Sequence, residues 1–149
     1  MTKKTFEILS IEDNEPDFSL LKKALTEIPD IFINLTNIAN GHSDLDYIFK
    51  RNIYKNSKTP HLIILDINLP KMNGHEILKK IKRSKIYKTI PVIMFSSSTM
   101  EEDIRKSYEE YANSYIAKSF DVKSLFEKIK KIGEYWLTTS EIIEIDNSN

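Results

Sequence analysis

The stretch Leu-Ile-Ile-Leu-Asp-Ile-Asn-Leu-Pro-Lys-Met-Asn-Gly, residues 62–74, decides the fold of this chain. Its first four residues are apolar without a break, which is typical of a strand buried on both faces of a parallel sheet. Asp66 follows at the carboxyl end of that strand, where open α/β sheets collect their reactive groups. Pro70 and Gly74 mark the loop before the next helical pattern. Asp66 can therefore react or bind metal, although a single Asp there more often only ends a strand or caps a turn.

Length and composition are those of an ordinary globular domain. The chain has 149 residues, 40% hydrophobic and 30% charged, which is enough to bury a core. Cysteine is absent, which excludes disulfides, thiolate metal sites and a cysteine nucleophile. Lys plus Arg and Asp plus Glu number 22 each, so net charge gives no support for nucleic-acid binding. No segment approaches the roughly 20 apolar residues of a membrane helix, and no signal peptide is apparent, so we expect a cytoplasmic location.

Strand-like and helix-like patterns alternate five times along the chain. The predicted strands cover residues 6–11, 31–38, 62–65, 92–95 and 113–117, and the predicted helices about 15–28, 43–51, 74–83, 100–111 and 121–136. Asn14 or Glu15 can cap the first helix, and Asp121 the last. This order predicts one α/β domain, residues 1–137, with a five-stranded, mostly parallel sheet between helices. Residues 138–149 form a polar tail that contains three isoleucines.

The predicted topology brings polar side chains from four strand ends to one edge of the sheet. They are Glu12 and Asp13, Asp66, Ser96, and Lys118. Neighbouring carboxylates repel one another, and a divalent cation removes that cost. Oxygen ligands with few protein contacts suit Mg²⁺, and Lys118 suits an anion such as phosphate. The set could support phosphoryl transfer to Asp66 as an acyl phosphate, with the Ser96 hydroxyl on a phosphoryl oxygen.

Four segments together resemble the receiver domain of two-component response regulators. They are Ile-Glu-Asp-Asn (11–14), Leu-Asp-Ile-Asn-Leu-Pro-Lys-Met-Asn-Gly (65–74), Pro-Val-Ile-Met-Phe-Ser (91–96) and Tyr-Ile-Ala-Lys (115–118). The resemblance covers about residues 6–136. It implies a doubly wound, flavodoxin-like fold of three layers, α/β/α, with strand order 2-1-3-4-5. The loop before Pro60, residues 101–108 and residues 134–137 also resemble the single-domain regulators paired with bacterial phytochrome kinases.

The resemblance also implies a role for each site residue. Asp66 is the expected phosphoacceptor and a ligand of Mg²⁺. Asp13 is expected to bind the metal directly and Glu12 often through water, while Asn68 offers its backbone carbonyl. The expected switch and phosphate-binding group comprises Ser96, Ser97, Tyr115 and Lys118. In this group Ser96 supplies the switch hydroxyl, and Tyr115 is the aromatic residue that moves inward when the hydroxyl engages phosphate.

The resemblance further implies the partners and the kind of activity. The expected partners are a sensor histidine kinase, with a phytochrome-like kinase as one candidate, a downstream protein that the sequence does not name, and a second copy in a homodimer. Nucleic acid and membranes are not expected partners. The chain would assist its own phosphorylation and dephosphorylation in a phosphorelay without being a turnover enzyme. Activation would shift an existing equilibrium of the surface around the fourth helix and fifth strand.

Two residues depart from the family pattern. The family usually has Pro after the lysine, often joined by a cis peptide, whereas Ser119 follows Lys118 here. A cis bond before a non-proline residue costs about 3–4 kcal/mol, so either Ser119 keeps that bond or the loop is rebuilt around Lys118. At position 96, Ser replaces the more usual Thr, which keeps the hydroxyl but drops a methyl that restricts its rotamer.

Other functions stay open at this point. An aspartyl-phosphate phosphohydrolase would want a second Asp at position 68, where this chain has Asn68. A receiver fold used only as an interaction module, with switching impaired by Ser119, is another reading. A nucleotide- or flavin-binding domain is disfavoured because the chain has only three glycines and no phosphate-cradling glycine loop. Among the isolated features, His75 and the basic run 79–83 are expected to be ordinary helix-face residues.

Overall fold

The computed structural model describes residues 3–39, 41–51 and 54–145, and of residues 41–44 the backbone alone. The strands are β1 (Lys4–Ile11), β2 (Ile31–Ile38), β3 (Leu62–Leu65), β4 (Val92–Ser96) and β5 (Ser114–Ala117). The helices are α1 (Glu15–Thr26), α2 (Gly41–Ile48), α3 (Gly74–Arg83), α4 (Glu101–Glu109), α5 (Val122–Glu134) and a π-helix, Tyr135–Thr139, that continues α5. Across the described ranges, no helix has the length and apolar character needed to cross a membrane.

The five strands form one parallel sheet in the order β2-β1-β3-β4-β5, as the resemblance implies. Its register explains how distant segments meet. Ile11 at the end of β1 pairs with Leu65 of β3, which in turn pairs with Met94 of β4. Ser96, the last residue of β4, pairs with Ala117 of β5. The residues that follow these strands therefore emerge side by side along the carboxyl edge of the sheet.

Two apolar clusters cover the two faces of the sheet, and β3 contributes to both. Leu62 and Ile64 join the cluster beneath α1 and α5, whereas Ile63 and Leu65 join the cluster beneath α2 and α3. All four residues of β3 are buried, which accounts for the unbroken apolar run in the sequence. The helices on both faces confirm the predicted three-layer, doubly wound fold.

Helices α1 and α5 begin at capping residues that were predicted from the sequence. The Asn14 side chain accepts the Asp17 N–H at the start of α1, and Asp121 accepts the Lys123 N–H at the start of α5. The predicted end of the first helix at Ile28 was wrong by two residues. The helix ends at Thr26 because Pro29 disfavours helical backbone at the residue before it and Asp30 turns the chain with φ 69°.

The described part of the tail lies against the amino-terminal edge of the sheet. Ile142 packs against the cluster beneath α1 and α5, and Ile145 against the cluster on the opposite face. The Nδ1 atom of His61 accepts the Glu7 N–H at 2.9 Å, so the ring proton is on Nε2. That Nε2–H group donates to the Glu144 carboxylate at 2.8 Å. The tail is thus held at the end of the sheet that lies opposite Asp66.

Gly74 packs directly against the backbone of Asp66. A Cβ atom at position 74 would lie 2.0 Å from the Asp66 carbonyl oxygen and 2.7 Å from the Ile67 Cα. The Gly74 N–H donates to the Ile67 carbonyl at 2.8 Å, which closes the loop between β3 and α3 on itself. Only a residue without a side chain fits there, so this glycine fixes how closely α3 approaches the Asp66 backbone.

We expect Gly74→Ala to lower the free energy of unfolding by about 1–3 kcal/mol or more, because rigid backbone atoms meet the new methyl. Gly133→Ala is the matched control. Its Cβ would meet the far ends of the Leu25 and Ile28 side chains at 2.7 and 2.8 Å, and these side chains can move. The gain in helix propensity, about 1 kcal/mol, offsets part of that contact. Urea denaturation of both variants checks this, and equal losses would contradict it.

Candidate functional site

The Asp66 carboxylate lies at the end of β3, with only 6% of the residue exposed. Its Oδ1 atom accepts the Ile67 N–H at 2.7 Å and lies 3.4 Å from the Asn68 nitrogen. Its Oδ2 atom faces the Lys118 ammonium at 3.3 Å. The two oxygens are therefore different: Oδ1 is held by the backbone, and Oδ2 points towards the other charged residues of the site.

Lys118 is the centre of an ion-pair cluster. Its Nζ atom lies 2.6 Å from Glu12 Oε1, 2.9 Å from Asp17 Oδ2 and 3.3 Å from Asp66 Oδ2. Burial alone would lower the pKa of Lys118, but the contacts with Glu12 and Asp17 raise it above its usual value. The lysine is therefore a fixed positive charge at this edge. Asp17, in the first turn of α1, is not among the site residues predicted from the sequence.

The chain around Lys118 is built without a cis peptide bond. Every peptide bond in the described residues is trans, including the one between Lys118 and Ser119. The sequence allowed either a cis bond before Ser119 or a loop rebuilt around Lys118, and the structure has the second. Lys118 nevertheless reaches the acidic residues. The Lys118 N–H donates to the Ser96 carbonyl at 2.7 Å, which fixes the start of the loop beside the end of β4.

Glu12 is the most deeply buried charge of the site, with 1% of the residue exposed. Burial raises the pKa of Glu12 to about 7, and the Asp66 charge adds to the shift while the Lys118 ammonium opposes it. Its Oε2 atom accepts the Asn14 N–H at 3.1 Å. Its Oε1 atom is in ionic contact with Lys118 but accepts no well-directed hydrogen bond.

These acidic residues fit a divalent cation. One carboxylate oxygen from each of Glu12, Asp13 and Asp66 lies within 4.8 Å of the other two. The buried Glu12 Oε1 atom has remaining capacity as an acceptor, and Asp13 is exposed, so that water can complete the coordination shell. An all-oxygen set with one open side is typical of Mg²⁺ or Mn²⁺ sites. Asn68, exposed on the loop after Asp66, borders the same opening with Asp13.

Ser96, Ser97 and Ser98, at the carboxyl end of β4, differ in their surroundings. Ser96 is fully buried, and its Oγ atom accepts the Ser98 N–H at 3.2 Å. Ser97 is exposed, and its side chain forms no hydrogen bond within the described residues. Ser98 forms the hydrogen bonds with the neighbouring elements. The Tyr115 hydroxyl donates to the Ser98 carbonyl at 2.8 Å, and the Ser98 hydroxyl donates to the Asp103 carboxylate at 2.5 Å. The loop thus connects Ser96 to Tyr115 and to the first turn of α4.

A second polar contact joins α3 to α4 and involves His75, which is buried with 4% exposed. The Ser107 hydroxyl donates to the Asp103 carbonyl at 2.8 Å, so its proton is already used. The Nε2–H group of His75 must then donate to Ser107 Oγ at 3.0 Å and, more weakly, to the Asp103 carbonyl at 3.2 Å. His75 follows Gly74, so this contact connects the loop of Asp66 with α4. No pattern in the sequence identified it.

Comparisons with known proteins agree with this geometry. The sequence matches the response regulator receiver domain family over residues 8–130. It is 36% identical to the response regulator Rcp1 of Synechocystis sp. over 132 residues, 89% of each chain. The fold superposes on the phosphorylated cyanobacterial phytochrome response regulator RcpA with a TM-score of 0.90 at 36% identity, covering 94% of this chain and 99% of that one. For the Mn²⁺-bound form of Rcp1 the TM-score is 0.89 at 34% identity, with 93% and 99% covered.

Divalent cations should stabilise the protein, and Asp13→Asn should weaken that effect. Removing one ligand charge lowers cation affinity, and we expect a loss of about tenfold or more. Thermal unfolding over a Mg²⁺ titration measures this, because a ligand that binds only the folded state raises the melting temperature. Glu15→Gln is the matched control, since Glu15 is exposed nearby in α1 outside the cluster. An unchanged Mg²⁺ response in Asp13→Asn would overturn the metal site.

The buried His75 should make stability fall in mild acid. Burial lowers the pKa of His75 below 6.5, with smaller effects of the Asp103 carbonyl and of the charges of Lys106, Asp103 and Glu110. The unfolded chain then binds the proton first, so the free energy of unfolding decreases as the pH falls below about 6.5. His75→Gln keeps an N–H donor without titrating. Urea denaturation between pH 7.5 and 5.5 should show a steeper loss for the native chain, and parallel curves would refute the assignment.

Proposed function

The chain belongs to the response regulator receiver domain family, and we propose that it takes a phosphoryl group from a sensor histidine kinase on Asp66. The proposal rests on one observation, that the two carboxylate oxygens of Asp66 have different partners. Backbone N–H donors hold Oδ1, whereas Oδ2 faces Lys118 beside Glu12 and Asp13. Oδ2 is therefore the nucleophile, and a carboxylate nucleophile needs no general base to free its lone pair.

The proposed step is an in-line displacement at phosphorus. A lone pair of Asp66 Oδ2 forms the new P–O bond while the P–N bond to the kinase histidine breaks. The electron pair of that bond stays on the leaving nitrogen, and the imidazole departs neutral because its other nitrogen keeps its proton. The product is an aspartyl phosphate, an acyl phosphate on the end of β3.

Charge develops on the phosphoryl oxygens, and the residues of the site can accommodate it. Lys118 is already directed at Oδ2 and can follow the negative charge from the carboxylate to the phosphoryl group. Glu12, Asp13 and Asp66, with the Asn68 carbonyl, would hold Mg²⁺. When bound, this cation would neutralise charge on the phosphoryl oxygens as a Lewis acid.

The response to phosphorylation would begin at Ser96. Its hydroxyl now accepts the Ser98 N–H, and a phosphoryl oxygen nearby would offer that hydroxyl a strong acceptor. Movement of the Ser96–Ser98 segment would disturb the Ser98 contacts with Tyr115 and Asp103. Tyr115 and α4 would then change position together, which is a shift between two arrangements rather than a gradual deformation.

The relatives support a proposal for the partners of the signal. Similarity to Rcp1 and to the phytochrome response regulator RcpA supports a phytochrome-type kinase as the phosphodonor. We infer that the output is contact with a downstream protein or a second copy of the chain, in the cytoplasm. The protein would act as a phosphoacceptor and not as a phosphohydrolase, since Asn68 stands where that class carries its second Asp. The position of Lys118 also argues against an impaired interaction module.

A small phosphodonor such as acetyl phosphate should modify Asp66 in the presence of Mg²⁺. We expect a mass increase of one phosphoryl group that is stable in acid and labile in base, as an acyl phosphate requires. Asp66→Asn should abolish the adduct, and Lys118→Met should slow its formation. Asp30→Asn is the control, since Asp30 lies at the opposite edge of the sheet and Asn tolerates its positive φ.

Two results would contradict the proposed function. One is an adduct that survives Asp66→Asn, which would place the phosphoryl group elsewhere. The other is the absence of any adduct in a native chain that is folded and Mg²⁺-bound by the thermal-unfolding assay. Continuous release of phosphate from many phosphate esters would instead favour a phosphohydrolase.

A further inference from the structure

A basic groove lies between α2 and α3, away from the carboxyl edge of the sheet. It has a volume of about 560 Å³ and is lined by Leu45, Phe49, Arg51, Glu76, Lys79, Lys80, Arg83 and Ser84. We call this surface the α2–α3 groove. Its lining residues include none of those that surround the opening beside Asp13 and Asn68. The groove is therefore separate from the proposed phosphoacceptor site.

The α2–α3 groove has a net positive charge, because its lining holds four cations and one carboxylate, that of Glu76. None of its four cations, Arg51, Lys79, Lys80 and Arg83, forms an ion pair with a carboxylate of the described residues. Favourable interaction with the negative end of α3 accounts for Lys80 and Arg83 in its last turn. The dipole of α3 does not account for Arg51, which lies beyond the end of α2 and lines the same groove.

The base of the α2–α3 groove is apolar and firmly positioned. Leu45 is 7% exposed and belongs to the core cluster on this face. The Phe49 ring packs edge-on against Tyr87 at 5.5 Å, and the Arg51 guanidinium lies 5.0 Å from its centroid. Arg51 is thus held over an aromatic ring at the rim. The groove combines a fixed apolar base with cations distributed around it.

We propose that the α2–α3 groove binds an acidic peptide segment of a partner protein, with an apolar side chain seated on Leu45 and Phe49. Four separated cations match a row of carboxylates better than one compact phosphate. The groove extends to the C-terminal end of α3, where the helix dipole is negative, so it lacks the free backbone N–H groups that a helix N-terminus offers to a phosphate. An extended or helical segment with Glu flanking Leu supplies both kinds of contact.

A labelled model peptide tests the proposal. The probe is an amphipathic helical peptide with Leu on one face and Glu along its flanks, and its control replaces every Glu with Gln. Fluorescence anisotropy should show that the full chain binds the acidic peptide and that affinity falls as salt is added. Backbone amide shifts should change at Phe49, Lys79 and Arg83.

Two charge-reversal variants separate the groove from general surface charge. Lys80→Glu/Arg83→Glu alters the groove, whereas Lys85→Glu/Lys88→Glu makes the same change of net charge on exposed residues just beyond α3. We expect the groove variant to lose about tenfold or more in affinity and the control to lose less than about threefold. Circular dichroism verifies that both variants fold.

Several outcomes would overturn the proposal. They are equal losses in the two variants, no binding up to about 1 mM peptide, or displacement of the peptide by an equal concentration of pyrophosphate. A dimer of the native chain that only the groove variant abolishes in sedimentation would instead identify the occupant as a second copy. Failure here is distinguishable from failure of the proposed function. Asp66→Asn should still bind the peptide, and the groove variant should still be phosphorylated by acetyl phosphate.

Discussion

The buried ammonium group of Lys118 is the interaction on which the site depends. It lies within 3.3 Å of oxygens from Glu12, Asp17 and Asp66, which come from the ends of β1 and β3 and from α1. Without it, the neighbouring carboxylates of Glu12 and Asp66 would have no positive charge between them, and burial would raise the pKa of Glu12 further. The parallel sheet makes the contact possible because its register brings the ends of β1, β3, β4 and β5 to one edge. The charge cluster and the strand order are therefore two aspects of one arrangement.

Much of this arrangement could be predicted from the sequence, because it follows from topology. The unbroken apolar run of β3 and the alternation of strands and helices predicted the parallel sheet, which places Asp66, Glu12 and Lys118 together. Contacts that depend on the direction of single side chains could not be predicted. Asp17 has the pattern of any acidic residue in a first helical turn, and Ser97 and Ser98 are equivalent in sequence. Only the local backbone makes Ser98 the partner of Tyr115 and Asp103.

The attachment of α4 differs in kind from that of the other helices. Ser107 is its one buried residue, and side-chain hydrogen bonds join the helix to Ser98 and His75. Apolar burial is roughly proportional to area and is lost gradually, whereas a directional hydrogen bond is lost over a short displacement and can be replaced by water. A helix held mainly by such bonds can occupy a second position at small cost, which suits an element that must respond to one phosphoryl group.

The tail at the amino-terminal edge has a consequence for how the chain comes apart. Ile142 and Ile145 pack against different core clusters, and the Glu144 carboxylate between them accepts a hydrogen bond from His61, which also accepts the Glu7 N–H. The last described residues are thus coupled to both layers of helices and to the first strand. Fraying of the C-terminal end would therefore uncover the margins of both cores at once. Exchange of the amide hydrogens at the amino-terminal end of the sheet would then report on the attachment of the tail to both layers.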